Sequence, residues 1–169
     1  MNKKILYLYL LINFVYSQGA WAWNNRTHPE LKWNTIKTEN FNIHFHDGIY
    51  DIALKGANIA EKIRPTLMKQ VGIDSLRRLD IIFTSEDEIA NGFAVAANYT
   101  VIWVDQNDEA IELIDNKWLE HVLAHELQHL VFFNVTKSWI PFPMSGLYGN
   151  VPLWFIEGLA EYYTEKWRP

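Results

Sequence analysis

Apolar and polar residues alternate over residues 41–46 (F-N-I-H-F-H). That period of two predicts a strand, closed by the turn formers Asp47-Gly48. The period then lengthens: Ile52, Ile59, Ile63 and Leu67 recur at helical spacing across residues 49–71. Pro65 falls inside this helix and is expected to kink or divide it. Residues 78–84 (R-L-D-I-I-F-T) predict a second strand, and Ser85 with Glu86, Asp87 and Glu88 reads as the N-cap and acidic first turn of a short helix. Residues 100–104 (T-V-I-W-V) predict a strand buried on both faces. A strongly apolar helical run covers residues 118–133, and a further helix over residues 154–162 follows Pro152, a residue favoured in a first turn. Residues 23–40 are polar and read as an extended lead-in. Residues 134–151 hold Pro141, Pro143, Gly146 and Gly149 among aromatic residues and read as a connector. This order of elements predicts an α/β (α+β) domain, a small mixed sheet with the apolar helix beneath it.

Charge and cysteine usage narrow the function classes. Asp and Glu outnumber Lys and Arg, 20 to 15, which argues against a nucleic-acid partner. Lys3 and Lys4 precede an apolar run over residues 5–15, and Ala20-Trp21-Ala22 then matches a cleavage signal. Residues 1–22 are therefore expected to be a signal peptide, and residues 23–169 the mature domain. The chain has no cysteine, so disulfides, thiolate metal sites and a lipoprotein anchor are excluded. Export to a bacterial periplasm or the extracellular space is expected, without membrane contact after cleavage. Eight Trp and nine Phe predict an aromatic core.

The chemistry is concentrated in His125-Glu126-Leu127-Gln128-His129, an H-E-x-x-H string within the apolar helix. Residues four apart share a helix face, so two imidazoles can converge on one metal ion while Glu126 reaches a water beside it. His121 extends the stripe, but only the later pair has a Glu directly after its first His. A catalytic zinc site needs a third ligand from elsewhere. Glu157 and Glu161 share one face of the last helix, and either can serve; Glu157 is the favoured ligand, and Glu161 the group that orients a ligating His. Gly158 between them suggests a close helix–helix approach. The longer H-E-x-x-H variant with a third His is excluded, because Phe132 and Val135 stand where it needs Gly and His. His44 and His46 share a strand face and read as ordinary strand positions rather than a second metal pair.

H-E-x-x-H followed by W-x-x-E-G-x-A-E-Y resembles the gluzincin zinc metallopeptidases, and most of all the exported peptidase MA-like pattern. The specific motifs span residues 122–163. The resemblance implies a zincin-like fold, one Zn²⁺ per chain held by His125, His129 and Glu157, Glu126 as general base, and Glu161 supporting a zinc-bound His. It also implies an edge strand beside the metal that pairs with an extended peptide. Gly92, Phe93, Ala94, Val95 and Ala96 are the candidates for that strand, with an ordinary hairpin arm as the alternative. Members of the family usually carry a second subdomain with an oxyanion-steadying Tyr or His after the Glu helix. The chain stops twelve residues after Glu157, so a C-terminally incomplete catalytic part with a possible downstream domain is expected. Two functions follow: an exported zinc-dependent peptidase acting on peptides or proteins, or a non-catalytic metal- or peptide-binding module of a larger envelope protein.

Overall fold

The structure, a computed structural model, describes His28 and residues 30–86, 91–95, 97–104, 117–136 and 151–167. The elements are β1 (Trp33–Lys37), β2 (Phe41–His46), α1 (Tyr50–Val71), β3 (Leu79–Thr84), β4 (Asn91–Val95), β5 (Tyr99–Trp103), α2 (Trp118–Val135) and α3 (Leu153–Trp167). The expected signal peptide and the connector between the last two helices lie outside the described residues, as does most of the short helix expected after Ser85.

Five strands form one mixed sheet in the order β1-β2-β3-β5-β4. β2, β3 and β5 are parallel, in register Phe41–Leu79 and Ile81–Thr100, while β1 and β4 run antiparallel at the two edges. The β2–α1–β3 crossover is what parallel neighbours require. Alternation does the rest. Phe41, Ile43 and Phe45 of β2, Leu79, Ile81 and Phe83 of β3, and Ile102 of β5 face one side and are buried. There they join one core with Ala53, Ala57, Ala60, Ile63 and Leu67 of α1 and Leu123, Leu127 and Leu130 of α2. The fold is therefore a mixed α/β sheet covered on one face by two helices, with α3 packed against α2.

Three expectations need correction. The lead-in contains β1, a strand whose residues are alternately exposed and half-buried, because it pairs only with β2 at the sheet edge. β5 is buried on one face only: Thr100 and Ile102 are buried, whereas Tyr99, Val101 and Trp103 are half-exposed. α1 runs undivided through Pro65 and ends at Gly72, whose φ of 72° is left-handed. The Gly72 N–H reaches Lys69 O at 3.2 Å and the Ile73 N–H reaches Met68 O at 3.0 Å, the paired bonds that close a helix at such a glycine. No helix among the described residues is long and apolar enough to cross a membrane.

Candidate metal centre

α2 carries the H-E-x-x-H string where two environments meet. Leu123, Ala124, Leu127, Leu130 and Val131 are buried, which fixes the helix's rotation under the sheet. His125 then faces the last helix and Glu126 faces the edge strand. α3 follows Pro152, whose carbonyl accepts the Phe155 N–H at 3.0 Å. It docks through Ile156 and Ala160, each 1% exposed, and Thr164. That spacing of four turns Glu157 and Glu161 toward α2 on the neighbouring face.

A single oxygen joins the two helices. Oε2 of Glu157 lies 3.2 Å from Nε2 of His125 and 3.3 Å from Nε2 of His129. Ligand atoms of these three residues all lie within 4.8 Å of one another, and they form the one such metal-capable group among the described residues. Oε2 of Glu161 stands 3.4 Å from the other ring nitrogen of His125, Nδ1. The two imidazoles meet edge to face at 4.8 Å between centroids, and the Phe133 ring stacks on His129 at 6.2 Å and 15°. Phe133 was not singled out from the sequence, although its position four after His129 was the available signal.

The electrostatics are those of a place short of positive charge. Burial pushes the Glu126 carboxyl up to about 8; the neighbouring Glu157 carboxylate adds to the shift and a hydrogen bond from the Ala94 backbone opposes it. His129 is held well below the usual histidine range, first by burial and then by His125, with Glu157 acting in the opposite direction. A neutral His129 keeps a nitrogen lone pair for a ligand. Among the described residues its buried Nδ1 has no hydrogen-bond partner. The donor set therefore fits a divalent cation of the zinc type: two imidazoles, one of them kept neutral, and a carboxylate beside a second acid that a cation would stabilise.

β4 lies over this group as the outermost strand. An ideal β-carbon built on Gly92 would stand 2.6 Å from Oε1 of Glu126, so the glycine and the acid share one space. Ala94 is buried on the same face. Phe93 and Val95 alternate to the opposite face, away from Glu126, and Ala96 lies outside the described residues. Hence two of the five edge-strand candidates meet the site directly. The expected close approach at Gly158 is absent: a β-carbon there would meet nothing within 4 Å. His44 and His46 do not act together either. His44 bridges Thr35 and Asp80, at 2.9 and 3.0 Å, while the buried His46 binds the Asp47 carbonyl and Ser85.

No protein-family model matches the chain, and no curated protein matches it as a relative.

Proposed function

We propose that this chain is the catalytic part of an exported zinc metallopeptidase of the gluzincin type, with a zincin-like fold. The observation that carries the reading is the one Glu157 oxygen lying within 3.3 Å of both imidazoles of an H-E-x-x-H helix. His125, His129 and Glu157 would hold the ion. Bound zinc supplies a Lewis acid for a peptide carbonyl and lowers the pKa of a water toward ~7.

The chain's own residues supply position and proton transfer. Glu126 takes a proton from the attacking water onto its carboxylate and delivers it to the leaving amine. Its burial excludes bulk water from that transfer. Glu161, at Nδ1 of His125, fixes the ring so that Nε2 faces Glu157. The outer edge of β4 would take an extended peptide as an added strand, with Gly92 to Ala96 as the candidate contact.

The test combines metal content with turnover. Elemental mass spectrometry on the purified protein is expected to give about one zinc per chain, and chelation is expected to stop peptide hydrolysis. Glu126→Gln should keep the zinc and lose on the order of 10²-fold or more in kcat. Zinc without any hydrolysis would leave the metal- or peptide-binding module as the function. A folded protein that takes up no zinc would sink the peptidase and the metal-binding module alike.

A further inference from the structure

Gly92 is a glycine for a reason other than backbone freedom. Its φ is not positive; among the described glycines the positive values belong to Gly48 and Gly72. Any residue could adopt its backbone. What excludes a side chain is Glu126. A β-carbon at residue 92 would stand 2.5 Å from Cγ, 2.6 Å from Oε1 and 2.8 Å from Cδ of that acid. Relaxed contacts need about 3.5 Å, so roughly an ångström of displacement would be forced. The obstacle is not the loose end of a surface side chain, because Glu126 is 6% exposed.

Strand alternation makes the fit specific. Gly92 and Ala94 share the face of β4 that looks onto α2. At Ala94 there is room for a methyl group, which packs into the core. At Gly92 the same room is filled by the Glu126 side chain. The Ala94 N–H also hydrogen-bonds the Glu126 carboxylate. β4 therefore touches Glu126 twice, by a vacancy and by a donor.

We propose that Gly92 is a positioning residue: by lacking a side chain, it sets where the Glu126 carboxylate stands. The proposal rests on the reading of Glu126 as general base. It gives Gly92 a part in the reaction through Glu126, separate from any contact its backbone makes with substrate.

Two measurements on the full chain test it. In zinc-loaded protein, Gly92→Ala is expected to lower kcat for peptide hydrolysis about 10²-fold, as an ångström's misplacement does, with KM and zinc content unchanged. A raised KM at unchanged kcat would assign Gly92 to substrate contact and overturn the proposal. The second measurement needs no activity. Melting temperatures are compared for the wild type, Gly92→Ala, Glu126→Ala and the double variant. Gly92→Ala should lower Tm by about 5 °C where Glu126 is present, and should leave it unchanged or higher where Glu126→Ala has cleared the space. Equal shifts in the two backgrounds overturn the proposal. If Gly92→Ala alone does not fold, folding of the double variant supports it and failure of both overturns it. A wild type that binds zinc and hydrolyses nothing removes the general-base reading, and with it the catalytic part of this proposal. The melting cycle still decides whether residue 92 places Glu126.

Discussion

Oε2 of Glu157 stands 3.3 Å from Nε2 of His129, and the two side chains differ sharply in exposure, 47% against 6%. The acid reaches from solvent to an imidazole set in the core. Both His129→Ala and Glu157→Ala are expected to abolish stoichiometric zinc binding. Their costs to the metal-free protein should differ. His129→Ala empties a packed position and should cost about 1–3 kcal/mol. Glu157→Ala alters an exposed one and should stay within about 0.5 kcal/mol. Denaturant unfolding in the presence of a chelator compares them, and equal costs would contradict the asymmetry.

Glu161 meets His125 at its outer nitrogen, at 3.4 Å. A group in that place tunes a ligand without being one. Glu161→Ala should therefore weaken zinc affinity about 10–100-fold while leaving one zinc per chain at saturation. Competition against a chromogenic chelator measures this. Loss of stoichiometry would make Glu161 itself a ligand.

Acidity gives a third prediction. Glu126 is raised in the folded protein to about 8, chiefly by burial, from the 4.5 of a free carboxyl. A raised folded-state value means that its contribution is fully present below about pH 4.5 and is lost as pH rises through 8. Taken by itself, Glu126 should thus cost the metal-free protein stability between pH 5 and 8, on the order of a few kcal/mol. Glu126→Gln should flatten that limb. His129 acts in the opposite sense: its lowered folded value makes its contribution present above pH 6.5 and lost as the pH falls. Below about pH 6.5 the two oppose each other, so chelated samples melted across pH 4–9 should show the wild type losing stability from about pH 6.5 to 8, where Glu126→Gln stays flat; a wild-type profile equally flat there would contradict the first.

Gly56 in α1 offers a control remote from the site. Replacing it with Ala would gain about 1 kcal/mol in helix propensity. The new methyl group would, however, run into the ring of Phe83, which is fully buried in β3. Overpacking of that kind costs about 1–3 kcal/mol. A net loss of stability is expected from the denaturant midpoint, and a gain would mean that the ring can move.

Much of this architecture is legible where the signal is local. F-N-I-H-F-H, the run ending in I-I-F-T and T-V-I-W-V each carry a strand's pattern within a few residues. The spacing of His125 and His129 needs nothing beyond helix geometry, and Glu157 needed only a second helix of the right face. β1 was missed because W-N-T-I-K buries almost nothing; it is held by its ladder to β2, which no local pattern records. The apolar run of β5 predicts burial on both faces, because such a run does not say on which side the helices lie. Gly158 stands in the Glu-bearing motif and Gly92 in the candidate edge strand. Only packing separates them: one faces open space and the other faces Glu126.

α3 buries one stripe, Ile156, Ala160 and Thr164, and Tyr163 adds two hydrogen bonds to Gln70 of α1, while Leu153, Trp154, Phe155 and Tyr162 remain exposed, Trp154 at 74%. Such an element can detach in a local opening that costs far less than global unfolding. Two of the three metal-capable side chains sit on the buried helix and the third rides on this lightly held one. An ion bound between them would act as a rivet. Its release would be timed by fraying of α3, so amide hydrogen exchange along α3 and the rate of metal loss should slow or quicken together.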